Sequence, residues 1–310
     1  DGCVYLRNTV GVDSTNTITF IGIDDANGNP PMITNTIGLG SGDGCGIYNE
    51  NVPYVTFENF ELAYVNAYGI RGYYSPTDTA HHFTIKDFYI HHTGMVGGEH
   101  GIWVFRCRNF SLLSTEIDGG AYSAYCNYCP DSKFINNMMM NATYMTATFG
   151  VYGNDNSEIY YNSIYNPFSE RAFYSGNMPG ADVRNNIFYN ARPDGFAVYV
   201  LSTPPTTCDY NCYYSPDGEF GYYNGIINTL AAWQTATGLD SNSIYADPLF
   251  IGETDAIDLH IQSYQNSPVD SAAVPIPSVT MDIDGDMRDA TYPDIGADEF
   301  DFEVPTNGVW

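Results

Sequence analysis

Seven six-residue segments of the chain fit a single template, and their regular spacing constrains the fold more than any other feature. Their first and sixth residues are all apolar, and successive first residues are 22 to 28 positions apart. A repeat of about 25 residues, with short strand-like segments between turn residues, indicates a solenoid whose repeats pack only on their neighbours. The first positions are Phe57, Ile85, Leu112, Phe134, Ile159, Val183 and Cys208, and the sixth are Leu62, Ile90, Ile117, Met139, Ile164, Phe188 and Tyr213.

Asparagine occupies the fourth template position in the last four segments, at Asn137, Asn162, Asn186 and Asn211. Because Asn tolerates the left-handed backbone region and forms local hydrogen bonds, it predicts a tight bend in each of these coils. Strands in adjacent coils are about 4.8 Å apart. We therefore expect the four amides to form an internal ladder in which each side chain hydrogen-bonds to the next.

These patterns predict a right-handed parallel β-helix over residues 1–225. A leucine-rich repeat is the alternative, but its leucine signature is absent and nothing between the strands has a helical pattern. Residues 226–310 are predicted to form a short helix and a loop-rich cap continuous with the solenoid. The helix is expected within Ile227–Gly238, with Thr229 as its N-cap and Gly238 at its end.

Charge limits the classes of partner. The chain has 10 Lys plus Arg against 37 Asp plus Glu, and a formal charge of −27 at pH 7. Nucleic acid is excluded because phosphate binding requires a basic face. Polyanionic substrates are disfavoured for the same reason unless divalent cations intervene. Neutral polysaccharides, cations and other copies of the chain remain as partners. No run of about 18 apolar residues occurs, so no membrane span is predicted.

The C-terminal third carries a resemblance to a known family. Its motifs are Asp247–Phe250, Ile257–Ile261, Ser267–Ser271, Asp282–Arg288 and Pro293–Phe300. This series resembles the tail of secreted, pectin-lyase-like β-helix proteins whose ending is called choice-of-anchor Q, and the resemblance covers roughly residues 226–300. It implies a β-helix and an extracellular or cell-surface location, and the seven cysteines also suggest an oxidising compartment. It does not imply an activity, because one fold carries many functions.

One candidate carbohydrate site lies on outward-facing template positions. The fifth position places Glu61, Tyr89 and Glu116 in one column on three successive coils. The two glutamates are then about 9.6 Å apart between backbones, a distance that overlaps the carboxylate separation of inverting glycosidases. Tyr89 between them can stack on a sugar ring. The alternative is that all three are solvated surface residues in a chain rich in acids.

A candidate cation site lies near the C-terminus. Asp282, Asp284 and Asp286 alternate along the chain with a glycine nearby, and closely spaced carboxylates suit calcium. The motif is not an EF-hand loop, because the glycine and the final acid are out of position. The alternative is structural, with Arg288 pairing with Asp282 or Asp294 to hold the cap.

Histidines are concentrated in one stretch of the chain. Five of the six, His81, His82, His91, His92 and His100, occur within twenty residues. On the template His82 precedes a strand that His91 and His92 follow, which places them at opposite ends of one face. We interpret them as polar turn residues, with a metal-binding or catalytic histidine as the alternative.

Two functions are compatible with these features. The first is a non-catalytic β-helix that acts as a structural subunit, filament component or adhesin contacting glycans. In that case we expect head-to-tail contacts between copies, with the apolar residues of the segment 301–310 packing on a neighbour. The second is a carbohydrate-active enzyme, a lyase or hydrolase acting on neutral or mildly acidic glycans. It is supported by the 27 tyrosines, although the motifs of known β-helix enzymes are missing.

Overall fold

Three columns of parallel strands make up most of the molecule. In a computed structural model, the described residues are 3–7, 11–36, 44–75, 81–94, 99–143, 146–253 and 257–301. The chain winds as a right-handed parallel β-helix, which confirms the fold predicted from the repeat. Each complete coil passes through one strand of column 2, a bend, one strand of column 3 and one strand of column 1.

Column 1 is a ten-stranded sheet that is parallel except for its last short strand. Its strands are Val4–Arg7, Ile47–Glu50, Ile70–Tyr73, Ile102–Phe105, Ala124–Asn127, Phe149–Tyr152, Arg171–Gly176, Phe196–Val200, Glu219–Tyr223 and Ile226–Ile227.

Columns 2 and 3 form one 15-stranded sheet, because the long strands Val55–Val65 and Phe83–Thr93 run through both. Column 2 also contains Ile18–Ile21, Phe110–Leu113, Lys133–Ile135, Glu158–Tyr160, Asp182–Arg184 and Thr207–Asp209. Column 3 also contains Met32–Asn35, Glu116–Asp118, Met138–Met140, Ser163–Asn166, Ile187–Asn190, Cys212–Tyr214 and Ile244–Tyr245. A separate antiparallel pair joins Phe250–Gly252 to Asp258–Ile261.

The predicted core stacks are present in full register. Each first-position residue, from Phe57 to Cys208, is the direct strand partner of the next one along the axis. The sixth-position residues, from Leu62 to Tyr213, are paired in the same way. All of them are buried. The interior is therefore one continuous apolar core, in which each coil packs on the coils above and below.

The asparagine ladder is also present. The Nδ2 of Asn137 donates to Oδ1 of Asn162 at 2.8 Å, and the next two steps along the ladder are 2.8 and 3.0 Å. The expected left-handed backbone, however, belongs to the preceding residue, because the asparagines point inward and the bend occurs one position earlier. The third template position has a positive φ in all seven segments, at Asn59, Asp87, Ser114, Asn136, Tyr161, Asn185 and Tyr210.

The predicted helix closes the C-terminal end of the solenoid. It spans Leu230–Thr237, begins at the N-cap Thr229 and ends at Gly238, which has a φ of 72°. Its buried Trp233 donates from Nε1 to Oδ2 of Asp240 at 2.8 Å. Asp240 also accepts from the amide of Asn211 at 3.3 Å, so the ladder ends on a buried carboxylate beneath the helix.

Residues 246–253 and 257–301, here called the C-terminal region, lie along the side of the solenoid rather than over its end. They cover the outer face of column 3 from Met138 to Cys212, where they pack on apolar and aromatic side chains. Ala297 N donates to Ser163 Oγ at 2.9 Å, and the Tyr165 hydroxyl donates to the carbonyl of Glu253 at 2.8 Å. The covered face includes Met138, Met140, Tyr165, Ile187, Tyr189 and Cys212.

A buried arginine joins this region to the coils. Arg288 forms an ion pair with Glu299 at 3.1 Å and donates to Oδ1 of Asn136 at 3.0 Å. The structural role considered for Arg288 is therefore present, although its ion pair is with Glu299 and not with Asp282 or Asp294. Within the described part of the chain, no helix has the length and apolar character needed to cross a membrane.

Candidate functional site

The three residues of the candidate carbohydrate site lie side by side on column 3. Glu61 is the strand partner of Tyr89, and Tyr89 is the strand partner of Glu116. Alternation along the strand points all three outward, since their neighbours Leu62, Ile90 and Ile117 are buried. The geometric part of the prediction therefore agrees with the structure, while the role of these residues stays a prediction.

His91 joins this column from the same outer face. Its Nε2 is 2.8 Å from Oε1 of Glu61, and its ring stacks on Tyr89 with centroids 4.4 Å apart and planes at 18°. Its Nδ1 is 2.6 Å from Nδ1 of His92. One face of Tyr89 is thus covered by an imidazole, yet 39% of the residue remains exposed. The sequence pattern predicts that His91 and His92 are turn residues, whereas both lie in the strand Phe83–Thr93.

Glu116 lies where the open coils meet the C-terminal region. The next residue in its row is Met138, which that region buries. Burial raises the pKa of Glu116, and the nearby carboxylates of Asp118 and Asp258 raise it further, while His260 and His91 oppose them. The surroundings of Glu116 therefore favour its protonated form.

The C-terminal region contributes a second histidine beside Glu116. His260 Nδ1 is 2.6 Å from Asp258 Oδ1, and its Nε2 is 2.9 Å from Asp284 Oδ2. Burial lowers the pKa of His260, but the hydrogen bond to Asp258 and the charges of Asp298, Asp284 and Asp258 outweigh burial and raise it overall. We use the name edge site for the group Glu61, Tyr89, His91, Glu116, Asp118, Asp258 and His260.

A polar groove continues from the edge site across the next turn. It has a volume of about 360 Å³ and is lined by His92, Asp118, Asn141 and Phe168, among others. Asn141 donates to Asp118 Oδ1 at 2.7 Å, which fixes that carboxylate at the groove wall. The groove therefore offers hydrogen-bonding groups from His92, Asp118 and Asn141 and an aromatic ring from Phe168.

The three aspartates of the predicted calcium site have different environments. Asp282 is buried, and its Oδ1 accepts from the backbone N of Asp284 at 3.0 Å and of Asp286 at 2.8 Å. Asp284 is exposed and contacts His260, while Asp286 is exposed on the same loop. The carboxylate that approaches Asp284 and His260 is that of Asp298.

Aromatic residues at outward positions of column 1 form a row along the axis. Tyr199 and Tyr222 stack with centroids 4.4 Å apart and planes at 5°, and the guanidinium of Arg171 lies 4.0 Å from the Tyr199 centroid. Because neighbouring rings cover each other's faces, this row stabilises the sheet and offers few free ring faces. The row consists of Tyr5, Tyr48, Arg71, Trp103, Tyr125, Gly150, Tyr174, Tyr199 and Tyr222.

The template predicts that Glu61, Tyr89 and Glu116 lie together, but it does not predict the contact with His91 or the position of His260 near Glu116. A signal for the position of His260 is present in the fifth template position. That row changes from Glu61, Tyr89 and Glu116 to Met138 and then to mainly apolar residues. An apolar outward row must be covered by another part of the chain. Because the apolar part of this row starts at Met138, the border of the covering segment must lie next to Glu116.

Comparisons with known proteins bear on the architecture. The family model described as right handed beta helix region matches residues 77–235. A crystal structure of pectate lyase Pel9A is similar at 14% identity and a TM-score of 0.47, with 97% of this chain and 86% of that chain covered. A structure of XylC in complex with xylose is similar at 9% identity and a TM-score of 0.45, with 79% of this chain covered. The chain spans half the length of XylC, with 50% of that chain covered. No curated protein matches the sequence.

Proposed function

For a chain that belongs to the right handed beta helix region family, we propose the function of a non-catalytic glycan-binding scaffold whose edge site contacts a neutral polysaccharide. One observation carries this proposal, the half-exposed Tyr89 ring set between Glu61 and Glu116 on successive coils. The fold alone names no ligand, because one fold hosts many functions.

The chemistry of the edge site suits a sugar. A pyranose has an apolar C–H face, which packs on an aromatic ring, and a rim of hydroxyls, which donate to carboxylates. Tyr89 offers ring surface opposite His91, while Glu61 and Glu116 offer acceptors on both sides. Two coils span about 9.6 Å, enough to place one or two sugar units against Tyr89.

The charge of the site selects among glycans. Edge-site carboxylates, on a chain with a formal charge of −27, repel polyanions such as uronate polymers. Neutral polymers carry no such penalty, and their hydroxyls complement a surface rich in acceptors. We therefore expect neutral glycans to bind more tightly than acidic ones.

Affinity electrophoresis tests this proposal directly. The full chain should be retarded by one or more of neutral xylan, mannan and glucan polymers, and less by polygalacturonate. Tyr89→Ala should weaken binding by about 2- to 12-fold, since one aromatic contact is worth roughly 0.5–1.5 kcal/mol. The matched control is Tyr264→Ala, because Tyr264 is 60% exposed and lies in the C-terminal region. Equal binding by Tyr89→Ala and the wild type, or no retardation by any polymer, would reject the site.

A second candidate function is hydrolysis at the same site, and the raised pKa of Glu116 favours it. Burial raises the pKa of Glu116, which is the direction of shift that a general acid requires. Glu61, two coils away and bonded to His91, would then be the base that activates water. The backbone separation of about 9.6 Å overlaps the inverting arrangement.

Release of reducing sugars distinguishes the two functions. A hydrolase should lose sugar release in both Glu61→Gln and Glu116→Gln while it keeps glycan binding, because the amide retains shape but cannot transfer the proton. Glu219→Gln, on column 1, is the control that should leave release unchanged. If the wild type binds a polymer and releases nothing from it, the scaffold function stands and the hydrolase is rejected.

We also propose an extracellular or cell-surface location and head-to-tail contacts between copies. The location rests on the resemblance of residues 226–300 to anchored β-helix proteins. The contacts rest on the apolar side chains Ile21, Ile23 and Met32, which are 57, 80 and 52% exposed. The segment 302–310, expected to pack on a neighbour, lies outside the described residues. Sedimentation at rising concentration, with and without residues 301–310, tests this, and a monomer at all concentrations would contradict it.

A further inference from the structure

A cluster of ligand-type side chains lies within the C-terminal region, beside the edge site. His260 is on the strand Asp258–Ile261, while Asp284 and Asp298 come from two different loops. One ligand atom from each residue lies within 4.8 Å of the other two. We infer that His260, Asp284 and Asp298 together bind a divalent transition-metal cation such as Zn²⁺ or Mn²⁺.

The orientation of His260 is the first argument. Its Nδ1 is held by Asp258 Oδ1 at 2.6 Å, so the proton on that nitrogen is directed at a carboxylate. The opposite nitrogen, Nε2, faces Asp284 Oδ2 at 2.9 Å, so that a proton or a metal ion must lie between the two atoms. A carboxylate behind a histidine, fixing which nitrogen is free, is the usual outer partner of a metal-binding imidazole.

Asp298 supplies the second argument. It is only 8% exposed, and its Oδ2 accepts a hydrogen bond from the backbone N of Ile261 at 2.8 Å. The described part of the chain provides no hydrogen bond to its other oxygen. That oxygen is therefore free to bind a cation, and a carboxylate on a residue as buried as Asp298 is stabilised by a positive charge beside it. A metal ion shared with His260 and Asp284 supplies that charge.

Asp282 makes the arrangement rigid without joining it. Its carboxylate accepts from the backbone N of Asp284 through Oδ1 at 3.0 Å and of Glu299 through Oδ2 at 3.0 Å. Both loops that carry ligands, the one with Asp284 and the one with Asp298, are thus tied to the same side chain. The alternating aspartates seen in the sequence therefore divide into an organiser, Asp282, and a ligand, Asp284.

The donor set decides which cation fits. Calcium takes six to eight oxygen ligands, whereas imidazole nitrogen suits zinc and other transition metals. One nitrogen and two carboxylates are three protein ligands, a number that zinc accepts when further positions are filled by water or a bound molecule. The cluster consequently favours Zn²⁺ or Mn²⁺ over the calcium expected from the aspartates alone.

Calorimetric titration of the untagged, EDTA-treated full chain is the test. ZnCl₂ should fill one site per chain at least about tenfold more tightly than CaCl₂. His260→Ala and Asp298→Asn should abolish this binding, and Asp258→Asn should weaken it about 10- to 100-fold by freeing the imidazole. Asp286→Asn is the matched control, because it removes an acid from the same loop and leaves the cluster intact.

Co²⁺ gives a readout that does not depend on the variants folding. In the wild type, bound Co²⁺ should show visible absorption bands of a site with a nitrogen ligand, and Zn²⁺ should displace them. Absence of saturable Zn²⁺, Mn²⁺ and Co²⁺ binding by the wild type would overturn the inference, as would undiminished binding by a folded His260→Ala. Glycan retardation measured in EDTA keeps this test separate from the proposed function.

Discussion

Replacing Asn162 by alanine tests the asparagine ladder. The side chain is fully buried, and its Nδ2 lies within hydrogen-bonding distance of Asn186 Oδ1, Phe134 O and Tyr160 O, at 2.8, 2.9 and 3.1 Å. Its Oδ1 accepts from the backbone N and the Nδ2 of Asn137 at 3.1 and 2.8 Å. Because an amide has two hydrogens, the three Nδ2 contacts amount to two full bonds, and the side chain makes four in all.

The expected loss follows from these bonds. A buried hydrogen bond contributes about 1 kcal/mol net, so Asn162→Ala should lower the free energy of unfolding by about 4 kcal/mol. An unfolding entropy of about 2.1 cal/mol/K per residue gives roughly 0.65 kcal/mol/K for 310 residues, and hence a fall in Tm of about 6 °C. Differential scanning calorimetry measures both quantities. Asn228→Ala is the control, because Asn228 is exposed and should change stability by less than about 0.5 kcal/mol.

Asn162→Asp adds a test with a predicted sign. The variant keeps the shape of the side chain, but an ionised carboxylate would face the oxygens of Asn186 and Phe134. Burial raises the pKa of such a carboxyl above its unfolded value of about 3.9. The variant should therefore regain stability as pH falls through the raised folded pKa, since the protonated acid can donate. A loss in Asn162→Ala no larger than in Asn228→Ala, or no recovery of the aspartate variant in acid, would refute the ladder as a source of stability.

Three further predictions concern other buried groups. Arg288→Ala should destabilise the C-terminal region by about 3–5 kcal/mol, because it leaves the Glu299 side chain, which is 12% exposed, without its cation. Limited proteolysis should then cleave that region first. Burial raises the pKa of the Cys129 thiol to about 12, so Cys129 should resist iodoacetamide at pH 8 in the folded chain and react after unfolding, as followed by mass spectrometry. Burial raises the pKa of Asp294 to about 7, above its unfolded value of about 3.9. The contribution of Asp294 to the free energy of unfolding is therefore fully present below about pH 4 and is lost as pH rises through about 7. In Asp294→Asn, the urea midpoint of unfolding should change less between pH 5 and 8 than it does in the wild type.

The repeat determined the solenoid without help from tertiary contacts. Coils of nearly constant length put residues of equal template position in contact, so spacing alone predicted the stack from Phe57 to Cys208 and the ladder from Asn137 to Asn211. The bend was placed one residue too late, because the left-handed position has no characteristic residue type and is Tyr161 in one coil and Asn136 in another.

The edge site depended on both sequence and tertiary structure. Template spacing placed Glu61, Tyr89 and Glu116 in one row, because neighbouring coils are related by a fixed strand register. The approach of His260 to Glu116 could not follow from spacing, since the C-terminal region lies outside the repeat and its position depends on which face needs cover. That face is the apolar outer row of column 3, which begins at Met138. Periodic local pairing can be read along a chain, whereas the docking of a non-repeating segment is decided by the three-dimensional surface that the repeats create.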